Sequence, residues 1–156
     1  MGIAALITWI ITAGGGFVLL SGWLRRGGMR QQADGTTSFR AGLIFGHFLL
    51  AAAGLVLWLV YVVTDAEGLK WPTFAVLVVV AILGATMFVR WLGVRRGATP
   101  TVRAGAGSAT PPAGAAQPAE EPAERGLPVP IVALHGVLAV ATVVLVLLTA
   151  LEFGGD

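Results

Sequence analysis

Four long apolar blocks constrain this chain more than any other feature of its sequence. The last of them, residues 127–151, carries no charged side chain over about 25 residues, enough to cross a hydrocarbon core of ~30 Å. The chain is 56% hydrophobic and 12% charged, whereas a soluble domain carries about 25% charged residues. We therefore predict an all-α fold, a four-helix transmembrane bundle embedded in a lipid bilayer, with no room for a soluble catalytic domain.

The apolar blocks divide the chain into three parts. Residues 1–96 are predicted to hold transmembrane helices one to three, and residues 127–156 to hold helix four and a short outer tail. Between them, residues 97–126 are rich in Ala, Gly, Pro, Ser and Thr. Because such a segment cannot bury enough apolar area to offset the entropy of ordering, we predict a disordered cytoplasmic linker there. Residues 25–40 read as an exposed loop with little structure of its own.

The arginines predict the orientation. All of them lie in the first loop, in the linker or at the helix ends that lead into these segments, whereas Lys70 is the only basic side chain on the other side. The positive-inside rule then gives a multi-pass plasma-membrane protein with both termini outside. Arginines in these positions are topology signals and do not indicate nucleic acid. The chain has no cysteine, which excludes disulfides, iron–sulfur clusters and covalent haem attachment.

The two histidines of the chain are the candidate functional residues. His47 and His135 lie in predicted helices two and four, each about seven residues from the cytoplasmic end, or roughly 10 Å below the interface at 1.5 Å per residue. These two helices run in the same direction, so both imidazoles lie at nearly the same depth. At that depth the antiparallel helices offer Gly16 and Gly84. Further small residues follow on the histidine faces, one and two turns on: Ala51, Gly54, Ala139 and Thr142.

A layer of two imidazoles among small residues suits haem b, which needs an axial ligand on each face and space beside the macrocycle. We therefore predict His47 and His135 as the iron ligands, with the small residues lining the haem. Arg40 and Arg90 lie at a similar height and are predicted to pair with the propionates.

This pattern resembles four-helix membrane cytochromes of the b561 kind, in which haem b is held between histidines of different helices. The resemblance covers the four spans. It implies electron transfer to or from a redox protein, a quinone or a larger membrane complex. Members with two haems use four histidines, so this chain holds at most one haem. The His-Gly start of helix four is also similar to small actinobacterial membrane proteins, a likeness that implies no chemistry.

The residues leave other interpretations open. The pair could handle protons or a metal ion, although two imidazoles without a carboxylate or thiolate make a poor zinc or copper site. The histidines could also bond neighbouring hydroxyls or carbonyls and serve packing alone. The protein would then be a non-catalytic accessory or scaffold subunit of a larger membrane complex. A solute carrier is disfavoured because no span contains an acidic residue, and the absence of P-loop, nucleophile-elbow and metalloprotease motifs favours an electron-transfer protein over a stand-alone enzyme.

Two further expectations concern the helices themselves. No internal repeat is evident in the sequence. Four tryptophans of the spans are predicted to lie at the membrane interface or to face lipid: Trp9, Trp23, Trp58 and Trp91.

Overall fold

The structure, a computed structural model, describes residues 1–97 and 121–152. Within these ranges all regular structure is helical. Four of the helices are long and apolar enough to cross a membrane, which confirms the predicted all-α four-helix bundle. The helices are α1 (Gly2–Arg25), α2 (Gly28–Ala33), α3 (Ala41–Thr64), α4 (Lys70–Arg96) and α5 (Val129–Ala150), with 3-10 turns at Glu67–Leu69 and Ala123–Gly126.

The four long helices present apolar side chains on all sides. Their backbone N–H and C=O groups bond within each helix, as a hydrocarbon environment requires. Hydroxyls follow the same rule, since Thr8, Thr12 and Thr142 each donate to the carbonyl four residues earlier. Turn chemistry then sets the ends. α5 begins with Pro130 in its first turn, where the missing N–H leaves no bond unmade. α3 ends at Asp65 in the left-handed conformation, with φ of 52°.

The helices pack as two antiparallel pairs, α1 on α5 and α3 on α4, with smaller contacts between α1 and α3 and between α4 and α5. Neighbouring helices are antiparallel throughout. For example, the Trp58 indole N–H near the end of α3 donates to the Gly2 carbonyl at the start of α1, over 3.1 Å. The parallel pairs, α1 with α4 and α3 with α5, therefore lie on the diagonals of the bundle. Both described chain ends lie at one end of the bundle, the termini end, and the arginine-bearing loops at the other, the arginine end.

An internal repeat, which the sequence analysis missed, becomes visible in the burial pattern. Inward-facing residues of α1 and α4 match at one constant offset: Ala5 with Thr73, Trp9 with Leu77, Thr12 with Val80, Gly16 with Gly84, and Trp23 with Trp91. Those of α3 and α5 match likewise: His47 with His135, Gly54 with Thr142, and Trp58 with Val146. The α1–α3 and α4–α5 hairpins are thus two halves related by an approximate twofold axis along the bundle, the arrangement known from parallel repeats in transporters.

The loops at the arginine end are structured where the sequence predicts otherwise. Residues 25–40 contain α2, and Ala123–Gly126 of the predicted linker form a 3-10 turn that packs against it. Gln31 joins the two segments, because its amide donates to the Glu121 carbonyl at 2.9 Å and accepts from the Ala123 N–H at 2.7 Å. We call residues 26–40 together with 121–128 the loop cap. The rest of the predicted disordered linker, residues 98–120, lies outside the described residues.

Candidate functional site

The two imidazoles meet inside the bundle, as the sequence predicts. The rings of His47 on α3 and His135 on α5 lie with their centroids 6.4 Å apart and their planes inclined at 65°. They belong to two helices that stand on opposite corners of the bundle. Because the helices are related by the approximate twofold axis, that axis passes between the two rings.

Each ring is fixed by one hydrogen bond to the backbone of a neighbouring helix. His47 Nδ1–H donates to the Val80 carbonyl of α4 over 3.0 Å, and His135 Nδ1–H donates to the Thr12 carbonyl of α1 over 2.9 Å. A carbonyl oxygen can only accept, so Nδ1 carries the proton and, in the neutral ring, Nε2 keeps the free lone pair. No described residue forms a hydrogen bond with either Nε2. This is the tautomer and the orienting bond that metal-binding histidines use.

Glycine admits each ring to its carbonyl. The carbonyls belong to Thr12 and Val80, and four residues after each stands a glycine, Gly16 and Gly84. In a helix the carbonyl of residue i points toward the N–H of residue i+4, so a missing side chain at i+4 leaves that oxygen accessible. A Cβ on Gly16 would lie 3.0 Å from Cε1 of His135, and one on Gly84 would lie 3.1 Å from Cε1 of His47. Both predicted small residues therefore touch the rings.

The separation of the rings suits one metal atom between them. Metal–imidazole bonds of about 2.0–2.1 Å on opposite sides of one atom, with each ring centre about 1.1 Å behind its nitrogen, put the centroids roughly 6–6.5 Å apart. The observed 6.4 Å lies in that range. Among residues 1–97 and 121–152 no cluster of three or more His, Cys, Asp or Glu could hold a bare ion. Two imidazoles are too few ligands for a bare zinc or copper ion, whereas a haem iron takes only two ligands from the protein.

The remaining predicted lining residues divide into two groups. Ala51 and Ala139 are half-buried, one turn beyond the histidines, and Thr142 is buried with its hydroxyl bonded within its own helix. Gly54 is different. The space that it leaves is taken by the Trp9 indole, which a Cβ at this position would meet at 3.0 Å. Gly54 thus serves close packing of α1 against α3, and the predicted free space beside it is absent from this part of the bundle.

The two predicted propionate partners lie beside an open groove of about 850 Å³ between the start of α3 and the end of α4. Arg40 immediately precedes α3, and Arg90 stands on α4 with its guanidinium donating to the Ser38 carbonyl at 2.9 Å. Arg90 therefore also holds the loop cap. Its pairing with propionates stays a prediction.

The prediction that these tryptophans are mostly interfacial or lipid-facing is wrong about lipid, because none of the four faces it. Trp9, Trp23, Trp58 and Trp91 keep between 0% and 5% of their surface exposed. Large rings fill the interior because glycine and alanine are so frequent on the facing helices that smaller side chains would leave cavities. Trp71, which follows the turn between α3 and α4, is 53% exposed.

Two of these buried tryptophans lie toward the arginine end of the bundle. Trp23 and Trp91 lie in one apolar cluster with Ile44 of α3. The sequence does carry a signal for them. Each follows the glycine that contacts a histidine by seven residues, in Gly16-FVLLSG-Trp23 and Gly84-ATMFVR-Trp91. The signal is weak because the intervening residues differ.

A buried carboxylate holds the loop cap over this end. Glu124 is fully buried and accepts hydrogen bonds from the Thr37 hydroxyl at 2.7 Å and from the Ser38 backbone N–H and hydroxyl, both at 2.6 Å. Burial by itself raises the pKa of Glu124, but the bonds from Ser38 and Thr37 outweigh it and hold the pKa below its usual value. The carboxylate therefore fixes the first loop to the start of α5.

Comparison with protein-family models, curated proteins and solved structures finds no match for this chain.

Proposed function

We propose that this membrane protein is a small b-type cytochrome that holds one haem b between His47 and His135 and transfers electrons. One observation carries the proposal. Two imidazoles lie 6.4 Å apart across the bundle axis, each with Nδ1 bonded to a backbone carbonyl and with Nε2 unpaired among the described residues. When bound, the haem supplies the one-electron chemistry. The chain supplies the two ligands, their orientation and a water-poor surrounding.

The packing explains why the histidines suit ligation better than a purely structural role. A hydrogen bond to a carbonyl satisfies only one of the two ring nitrogens. Neither Nε2 has a hydrogen-bond partner among the described residues, and neither is among the fully buried atoms there that lack one, so both nitrogens stay accessible to a ligand. Both unpaired nitrogens also belong to rings whose centroids lie 6.4 Å apart on either side of the axis. A single atom on this axis would satisfy both at once.

The proposal extends to orientation and partners. The eight arginines among the described residues lie in or beside the loops at one end of the bundle, and by the positive-inside rule this supports an arginine end in the cytoplasm and both termini outside the plasma membrane. The haem is then nearer the cytoplasmic face. With one haem, the protein exchanges electrons with a redox protein, a quinone or a larger complex on that side, because a relay across the whole bilayer needs a second centre.

Absorption spectroscopy tests the proposal directly. Protein expressed with ample haem and purified in detergent should show a Soret band and, after dithionite reduction, the sharp visible bands of low-spin haem b. His47→Gly and His135→Gly should each lose the low-spin spectrum, and added imidazole should restore part of it by filling the vacated ligand position.

Gly136→Ala, beside His135 but with no atom within 4 Å of the added Cβ, should keep the wild-type spectrum. A colourless wild-type protein, or unchanged low-spin spectra in both glycine variants, would refute haem ligation by this pair and favour the accessory-subunit alternative.

A further inference from the structure

Two buried hydrogen-bond donors near the histidines have no acceptor. The indole N–H groups of Trp23 and Trp91 are both enclosed, with 1% and 5% of each residue exposed, and neither finds a partner in the described part of the chain. Indole N–H can only donate. Because a buried donor without a partner is destabilising, such groups are rare in native structures and call for an explanation. The other two buried span tryptophans differ in position, since Trp9 packs on Gly54 and Trp58 donates to Gly2.

The two donors occupy equivalent positions in the two halves of the bundle. Each stands seven residues after the glycine that contacts a histidine ring, on the same face of its helix and roughly 10 Å nearer the arginine end. The approximate twofold axis that exchanges His47 with His135 also exchanges Trp23 with Trp91. Both indoles belong to one buried cluster. The bundle therefore presents two ligating nitrogens in one layer and two N–H donors in the next.

This double pair matches the symmetry of haem itself. A haem held between two axial imidazoles has an approximate twofold axis in the plane of its ring, and rotation about that axis exchanges its two faces and its two propionates. The axis of the bundle exchanges the two ligands in the same way. Two carboxylates symmetric about that axis require two symmetric donors, one from α1 and one from α4. Charged carboxylates in an apolar site need such bonds, because an unpaired buried charge is strongly unfavourable.

We propose that Trp23 and Trp91 bind the two haem propionates through their indole N–H groups, with the propionate edge directed toward the arginine end. This inference rests on the proposed function. It adds a second pair of cofactor-binding residues and a defined haem orientation. It also assigns the principal anchoring role to the tryptophans, because the Arg90 guanidinium already donates to the Ser38 carbonyl and lines the outer groove with Arg40.

Phenylalanine substitutions test the inference, since they remove the N–H and keep an aromatic ring. In Trp23→Phe and Trp91→Phe the propionate bending vibrations in the resonance Raman spectrum should shift, and the haem should dissociate about tenfold faster in each, as expected for a lost bond to a charged group. Apo-protein should lose less thermal stability than holo-protein, because the unliganded state loses no hydrogen bond.

Trp58→Phe is the matched control. It removes a buried indole at the termini end whose N–H donates to the Gly2 carbonyl. It should lower the stability of apo- and holo-protein alike and leave the propionate vibrations unchanged. Arg40→Gln and Arg90→Gln remove the propionate partners predicted from the sequence, and should shift these vibrations less than the two tryptophan variants do. If the arginine variants shift them and the tryptophan variants do not, the inference is overturned.

A measurement on the unaltered chain covers the case in which a variant fails to fold. Wild-type apo-protein reconstituted with the dimethyl ester of haem, which lacks the propionate charges, should release it about tenfold faster or more than haem b. Equal release rates of the two haems would contradict the inference. A wild-type protein that binds no haem refutes the proposed function, whereas a haem-binding protein indifferent to the tryptophans and to esterification refutes only this inference.

Discussion

The two halves of the bundle agree at one end and differ at the other. Near the arginine end each half supplies the same residues at equivalent positions: glycine, histidine and tryptophan. Toward the termini end the equivalents diverge, with Trp9 opposite Gly54 in one half and Leu77 and Thr142 in the other. Packing alone is satisfied by any combination of the right volume, as the divergent layer shows. In the histidine layer the two halves carry the same residues, which indicates that the position and the chemistry of these side chains are constrained there.

The largest effect on the site is expected from a larger side chain in place of the glycine beside either histidine. In Gly16→Leu and Gly84→Leu the new Cβ would lie 3.0 Å or 3.1 Å from Cε1 of the imidazole, and the rest of the side chain would push the ring from its carbonyl. Both variants should lose haem to a similar extent, measured as Soret absorbance per folded protein. Gly136→Leu is the control, since nothing lies within 4 Å of its Cβ. Full haem content in only one of the two variants would show that the halves are functionally unequal.

The next largest effect concerns the loop cap, which lies at only one end of the bundle. Glu124→Gln replaces an acceptor of three hydrogen bonds by a group that also donates, and should lower the free energy of unfolding by roughly 2–3 kcal/mol. Denaturation in mixed detergent micelles, followed by far-UV circular dichroism, measures it. Glu121→Gln, with a side chain 74% exposed, should change stability by less than about 0.5 kcal/mol.

The stability difference between wild type and Glu124→Gln should depend on pH. The pKa of Glu124 in the folded protein lies below its usual value, so its stabilising effect is present above the pKa of an exposed glutamate, about 4.3. It is lost as the pH falls through the lower folded pKa. The stability difference between wild type and Glu124→Gln should therefore shrink as the pH falls below about 4. A difference that stays constant into acid would contradict the role assigned to the charge.

A smaller effect is expected in the divergent layer. Gly54→Ala places a Cβ 3.0 Å from the Trp9 indole and 3.3 Å from Val76, and should destabilise the bundle by about 1–2 kcal/mol through overpacking. The other half carries Leu77 and Thr142 at the equivalent positions, so combining Trp9→Leu with Gly54→Thr should cost less stability than the two single losses added together, which a double-mutant cycle measures. If the double variant loses as much stability as the two single variants together, or more, then volume compensation does not explain the difference between the halves.

The smallest effect lies at the termini end. Lys70 pairs with Glu67 and approaches Glu152 at 3.9 Å, and the Glu152 side chain is 78% exposed. Glu152→Gln should therefore change the free energy of unfolding by less than about 0.5 kcal/mol. It should also leave the haem spectrum unchanged. A shifted spectrum would reveal coupling between the two ends that the separation of the layers does not predict.

The sequence alone determined the four helices and the depth of each residue along them. Bilayer thickness fixes where an apolar block begins and ends, and the constant rise per residue then fixes depth. This is why His47, His135, Gly16 and Gly84 could be assigned to one layer before any coordinates were known. The same argument could not tell which way a side chain points around its helix, because these helices are apolar on all sides and have no polar face to orient them.

Only the tertiary structure decided the rest. It turned the four tryptophans inward, placed Trp9 in the space beside Gly54 and bonded each Nδ1 to a carbonyl, which leaves each Nε2 without a partner among the described residues. It also buried Glu124 among the Thr37 and Ser38 donors. These features depend on contacts between residues far apart in the chain, and rotation of a helix about its axis would change all of them without changing any depth.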